Sequence, residues 1–357
     1  LFSSATVNPT PHACPRTHRP LTREGDVLVG PAGERYPIAD GIPSFLAYPP
    51  EDDPNLPAIR QALARVPEVG WRRALQETAS DPALKYVTAS CRTSYVDLLP
   101  IGPTTRVLEV GCSLGQGTAA LARVAGRVEA VEVVPEQAAF TALRLREEGL
   151  HNASVCVGGD DCRLPFAAGQ FDLAVLNLVL EWCGQRDPGS FEEAQRRMLA
   201  ELGRTLRPGG VVYVATKNRY ALNYLTGGGD EHASGLPFGN ALPRSVLALA
   251  LRATGRPPAR GVLHSHAALR GMLEDAGFGA VRGYWAAPDA RYPAAYVPAE
   301  AATVRAARAS LAPKAIGHTR RVRKLLPWVP ASLLVHVAPS IVFTAVRGAA
   351  APQRHAA

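Results

Sequence analysis

The sequence has no C-x-x-C pair. Its six cysteines, at 14, 91, 112, 156, 162 and 183, are scattered. Neither a disulfide framework nor a cysteine-rich zinc site is expected, and the usage suits a reducing compartment. No apolar run is long enough to span a bilayer and no secretory signal pattern is visible, so a cytoplasmic protein without a transmembrane segment is expected. Lysine is nearly absent, at Lys85, Lys217, Lys314 and Lys324 only. Aromatic residues are few, at 6%, and do not interleave with arginines in the way that stacks bases. Arginine, alanine, proline and glycine abound instead, as in bacterial proteins from GC-rich genomes. The formal charge of +8 follows from that arginine surplus; RNA, anionic lipid or a phosphorylated sugar would be the acidic partners it suits. The 357 residues suffice for one large domain with insertions or for two domains.

Thr105 to Thr118, TRVLEVGCSLGQGT, organises the rest. Val107, Leu108 and Val110 form a short β-prone run. A turn containing Gly111, Gly115 and Gly117 follows at once, then a small-residue helix. Strand, glycine loop, helix is the opening of a nucleotide-binding βαβ unit, whose helix begins with free N–H groups facing the ligand.

Around this stretch the chain reads as follows. Residues 1–50 form a small strand-rich module punctuated by Pro37, Gly41 and Pro43. Residues 51–100 are a proline-rich linker and lead-in helices. Strands then alternate with helices: 127–134, 154–157, 171–180, 211–215, 278–285 and 340–346 alternate with helices from Pro135, Phe191 and Ser265. The expectation is an α/β, Rossmann-like, doubly wound seven-stranded sheet over 101–349. Two insertions, 218–263 and 288–337, interrupt it, and 350–357 is expected to be a disordered tail.

In this order the motifs resemble a class I S-adenosylmethionine-dependent methyltransferase. The N-terminal RYPIADGIPSFL resembles the end of a zinc-ribbon-like module that activates, or is fused to, some such enzymes. Here Thr17 stands where the partner of Cys14 would fall and the second pair, near Gly30 and Gly33, is missing, so a metal-free relic is expected. The resemblance implies S-adenosylmethionine as cofactor. Glu109 would hold its methionine end, and Gly111, Ser113 and Gly115 would form the loop against it, with Ser113 at a position usually glycine. Glu132 would accept the ribose hydroxyls. Asp160, with Asp161 as the neighbouring alternative, would meet the adenine amino group, followed by the turn Leu164-Pro-Phe166. Asn177 would end the fourth strand below the sulfonium. A dinucleotide oxidoreductase fits less well: Gly115-Gln-Gly117-Thr-Ala-Ala120 matches its fingerprint, but Gly111-Cys-Ser-Leu114 would intervene after the strand.

Candidate catalytic residues are His232, His264 and Glu181, with His266 a further candidate base; no metal is expected, although Asp230, Glu231 and His232 adjoin. The expected acceptor is a small molecule or glycan in specialised-metabolite or cell-surface biosynthesis. RNA is the alternative, and a non-catalytic cofactor-binding protein a third class. The basic segment Arg305–Lys324 beside Trp328 suits peripheral contact with an anionic membrane or ordinary domain packing. The acceptor atom and the oligomeric state are not legible in the residues.

Overall fold

The computed structural model describes residues 12–49, 56–186, 189–311, 324–325 and 328–348. Most of the linker at 50–55, the basic stretch 312–323 and the tail after Gly348 therefore lie outside the described residues. Twelve strands are defined among the described residues: β1 (Thr22–Glu24), β2 (Val27–Val29), β3 (Arg35–Ala39), β4 (Ile42–Pro43), β5 (Arg106–Val110), β6 (Arg127–Glu132), β7 (Ala153–Val157), β8 (Phe171–Asn177), β9 (Leu206–Lys217), β10 (Phe278–Ala287), β11 (Ala295–Pro298) and β12 (Ser340–Arg347). The first four make an antiparallel sheet in chain order; the others are hydrogen-bonded in the order β11-β10-β12-β9-β8-β5-β6-β7. The doubly wound sheet expected from the sequence is present, with β11 as an eighth strand from within the second insertion. No helix is long and apolar enough to cross a membrane among the described residues.

The chain divides into two units. One comprises the residues to Thr88, Pro100–Ala174 and Arg204–Gly210; the other Ala89–Leu99, Val175–Gly203 and Val211 onward.

In the first unit, β5 pairs parallel with β6, and β6 with β7. Leu108, Ala130 and Val155 are almost completely buried, as expected of parallel strands covered on both faces. The N-terminal sheet turns from β3 to β4 through Asp40-Gly41, both with positive φ; Asp-Gly is the dipeptide that tolerates a tight hairpin of this hand. It is tied to β7 where Phe45 N–H donates to Val157 O at 2.7 Å. At the position of the resembled zinc ribbon's first cysteine pair, Cys14 Sγ lies 3.2 Å from the Tyr36 hydroxyl and 3.4 Å from Glu34 Oε1, and accepts from Thr17 N–H at 3.4 Å. Hydrogen bonds link the Cys14 turn to the start of β3 there.

The lead-in helices Leu56–Val69, Trp71–Thr78 and Asp81–Thr88 bury Ile59, Val66, Trp71 and Leu75 in one cluster with Leu114 and Phe140. Arg144 stacks on Trp71, 4.0 Å from its ring centroid, and donates to Leu114 O at 3.2 Å. Those helices thus pack on the glycine loop and on the helix Pro135–Glu147 that follows β6.

In the second unit β12 runs antiparallel to both β9 and β10, and β10 pairs with β11. Tyr95 stacks on Tyr213 with centroids 4.8 Å apart. The fourth strand is shorter than expected. Leu178 has φ 60, and the chain leaves the sheet there to form a short turn at Leu180–Trp182. An apolar run to Leu180 reads as strand because composition alone does not register a left-handed residue.

Candidate functional site

Of the residues expected to hold the cofactor, Glu109, Gly111, Ser113, Gly115 and Glu132 lie in or just after β5 and at the end of β6, and Asp160 and Asp161 follow β7. Gly111 and Gly115 have φ 78 and 77, and a Cβ at Gly115 would lie 2.9 Å from Thr141 Cγ2. Ser113 takes φ 49, the left-handed conformation for which glycine is the easy choice. Its N–H donates to Glu132 Oε2 at 2.8 Å and its carbonyl accepts from Thr141 Oγ1 at 2.7 Å. These bonds hold a serine where the family pattern has glycine.

Glu132 is 5% exposed. Its Oε1 also accepts from Val133 N–H and Val134 N–H, at 2.9 and 3.1 Å. These three protein N–H groups use most of the roughly four acceptor positions of a carboxylate. Glu132 thus pins the glycine loop to the two residues that lead into the following helix.

Glu109 is buried on β5 and accepts from Thr118 Oγ1 at 2.6 Å. Burial pushes its carboxyl up to about 7; the Thr118 bond opposes the shift and the nearby Glu132 charge adds to it. A buried carboxylate short of a cation, beside a left-handed glycine loop, fits the ammonium of a methionine group. Thr118, which the sequence reading did not single out, sets its orientation; a threonine in the helix after the glycines is the available signal. Because a bound ammonium favours ionised Glu109, S-adenosylhomocysteine affinity is expected to rise as pH climbs through about 7, until the ligand's own amine titrates. Calorimetry on the wild type and Glu109→Gln checks this. The variant should bind more weakly and without that rise, and an unchanged pH profile would remove the ammonium role.

Asp160 and Asp161 are both buried. Asp160 accepts from Ala47 N–H, 3.1 Å from both carboxylate oxygens, and from Tyr48 N–H at 2.9 Å. Asp161 accepts from Arg163 N–H at 3.0 Å and from its guanidinium at 2.9 Å. Asp160 thus anchors the segment leaving the N-terminal sheet, and only its remaining lone pairs are open to an adenine amino group.

Residues 108–214 match the family model described as "Methyltransferase domain". The chain carries a class I S-adenosylmethionine-dependent methyltransferase domain. It is 28% identical over 194 residues to the malonyl-[acyl-carrier protein] O-methyltransferase of Pectobacterium atrosepticum, covering 54% of this chain and 66% of that protein. It is 33% identical over 115 residues to the protein-L-isoaspartate O-methyltransferase of Roseiflexus castenholzii, covering 32% of this chain and 49% of the relative. The chain thus spans less than two thirds of the length of these curated relatives. A solved geranyl diphosphate C-methyltransferase from Streptomyces coelicolor A3(2) is 16% identical, with a TM-score of 0.44, covering 81% of this chain and 87% of that one.

The second unit holds the other candidates. Asn177 closes β8, and its Oδ1 is buried without a partner among the described residues. Glu181 is buried and accepts from Thr216 Oγ1 at 2.7 Å; burial raises its carboxyl above the usual range. His232 is 1% exposed, lies against Trp182 with centroids 4.3 Å apart, and neither ring nitrogen has a partner among the described residues. Burial, aided by the Lys217 charge, lowers it to about 4, so its imidazole is neutral at pH 7.

His264 is placed differently from the free base expected. Its Nε2 lies 2.5 Å from Gln195 Oε1, and Gln195 Nε2 donates to the carbonyls of Leu180 and Val262, each at 2.9 Å. One ring nitrogen is therefore spent bracing the chain. Its pKa is also lowered to about 4, first by burial and then by Arg244. His266 packs between His336 and Phe343.

Asp230, Glu231 and His232 have ligand atoms within 4.8 Å of one another, but a cation already serves the two acids. Lys217 Nζ lies 3.1 Å from Asp230 Oδ2 and also pairs with Glu231. Asp230 accepts further bonds from the Tyr224 hydroxyl at 2.5 Å and from Asn240 Nδ2 at 2.7 Å. Burial alone would raise its carboxyl; Lys217, Tyr224 and Asn240 outweigh that and hold it at about 2. The sequence reading missed Lys217. As one of only four lysines, at the end of the fifth predicted strand, it was the available signal.

Proposed function

We propose that the chain transfers a methyl group from S-adenosylmethionine to a nucleophilic oxygen of a small-molecule or sugar acceptor, in specialised-metabolite or cell-surface glycan assembly. When bound, the cofactor supplies an electrophilic methyl on a sulfonium. The observation that carries the reading is Glu109, a buried carboxylate with one neutral donor, at the mouth of the left-handed glycine loop. Both curated relatives described above are named as O-methyltransferases, which supports an oxygen acceptor. The acidic groups and glycines bind and orient; in-line placement at attack distance supplies much of the acceleration in such transfers. His232 is the candidate general base, because a neutral imidazole with two unpaired nitrogens is ready to take a proton.

The test uses labelled S-adenosylmethionine with host metabolite, glycan and RNA fractions. Label is expected in a small-molecule or glycan fraction. His232→Ala is expected to lower kcat by about a hundredfold or more while S-adenosylhomocysteine affinity stays unchanged. While the chain stays folded, the wild-type rate should show no step near pH 6.5, the ordinary histidine value. Label confined to RNA would replace this acceptor, and cofactor binding without transfer to any fraction would leave a binding protein.

A further inference from the structure

The second unit contains a cavity of about 350 Å³, within the size range of small-ligand sites. Phe191, Leu242, Leu247, Leu251, Val262 and Leu263 form its apolar wall, and Arg219, Arg244, Arg252 and Arg256 also line it; among the described residues no acidic side chain does. The helix Arg244–Ala253 contributes both kinds of residue, with Leu247 and Leu251 one turn apart.

The charges of these arginines are unevenly compensated. Arg244 pairs with Glu192 at 3.1 Å. Arg219 donates to the carbonyls of Asn240 and Leu242, at 3.2 and 2.6 Å, and Arg256 to that of Ser234 at 2.8 Å. Carbonyls satisfy N–H groups but do not cancel charge. Among the described residues no carboxylate pairs with Arg219, Arg252 or Arg256. The neighbouring His264 feels these charges: after burial, Arg244 pushes it down most, Glu192 opposes, and Arg196 and Arg219 add to the lowering.

We propose that this cavity binds an anionic amphiphile: an aliphatic chain against Leu247, Leu251, Val262 and Leu263, and a carboxylate or phosphate head at the arginines. A neutral hydrocarbon would match the wall and leave the cations uncompensated. A cationic ligand would be repelled. An anion bound to guanidinium groups beside an apolar wall gains charge-assisted hydrogen bonds and apolar burial together. The inference deepens the acceptor reading by naming a chemical class, and it rests on that reading only in making this ligand the acceptor.

Octanoate, octyl phosphate and octanol are titrated calorimetrically into the full chain, with S-adenosylhomocysteine titrated into the same preparations. At least one of the two anions is expected to bind saturably, about tenfold or more tighter than octanol, and the better of them identifies the head group. Arg252→Gln, at an exposed position, should weaken the anion by about tenfold and leave octanol unchanged. Leu247→Trp should weaken both classes; Ala248→Phe repeats the occlusion if the first variant melts early. Octanol binding as tightly as both anions, no saturable anion binding, or no effect of Arg252→Gln overturns the proposal. Failure of S-adenosylhomocysteine alone to bind would count against the methyl-transfer reading and leave the cavity assignment standing.

Discussion

Replacing Glu132 with alanine is expected to weaken S-adenosylhomocysteine binding by about a hundredfold or more and to lower the melting temperature in the same variant. Both effects come from one side chain with two tasks. Its carboxylate accepts N–H bonds from Ser113, Val133 and Val134. Removing it leaves those donors without their acceptor, at about 1–3 kcal/mol for each that stays buried. The loop then loses the bond that holds Ser113 at φ 49, so the cofactor must reorder the loop on binding. The negative charge that a ribose hydroxyl would meet also disappears. Glu132→Gln separates the two tasks. With its oxygen toward Val133 and Val134, its amide nitrogen faces the Ser113 N–H, donor against donor. The helix turn should survive and the loop should not, giving a large affinity loss with a smaller drop in melting temperature. Calorimetry and thermal melting of both variants decide it; alanine-variant affinity within about threefold of wild type would show that Glu132 is not the grip.

Mild acid is expected to unfold the protein, with most of its stability lost between about pH 6.5 and pH 4. His12, His232 and His264 are each lowered to about 4, chiefly by burial, from an ordinary 6.5. As pH falls through that window the unfolded chain takes up protons that the folded chain refuses, so the unfolded state gains. Each shift corresponds to roughly 3 kcal/mol, and three of them rival a domain's whole stability of about 5–15 kcal/mol. Glu109 works the other way. Its folded pKa is raised, so it destabilises the cofactor-free fold above about pH 7 and relaxes as pH falls toward its ordinary value. Glu181 is raised as well, but His266 is also lowered to about 4, and two raised carboxyls do not offset four lowered histidines. Denaturant midpoints at pH 7.5, 6, 5 and 4.5 should fall steadily. A midpoint constant over that range would refute the burial argument. His12→Phe is the informative variant: His12 packs against Phe45 and Phe166, so phenylalanine keeps the apolar contacts and removes a titrating ring, making the slope shallower.

The parts of the site that could be read from the sequence are short-range. Glu109, Gly111, Ser113 and Gly115 fall within seven consecutive residues, and the strand, turn and helix that carry them are coded by neighbours. Glu132 is legible because it ends the next strand of the same βαβ unit. Long-range contacts were not legible. Asp160 is engaged by Ala47 and Tyr48, more than a hundred residues away. Gln195 reaches His264 across 69 positions. Lys217 turns an apparent metal triad into an ion-paired cluster.

The sequence by itself determined the alternation of strands and helices, the glycine loop and the acids at the strand ends, because residue preference, hydrophobic period and left-handed turns act over a few neighbours. Only the tertiary structure decided which of three candidate histidines keeps both ring nitrogens without a partner among the described residues, which acids already have partners, and that arginines line an apolar cavity in the second unit. Burial and pairing depend on groups brought together from distant parts of the chain, and no local pattern records them.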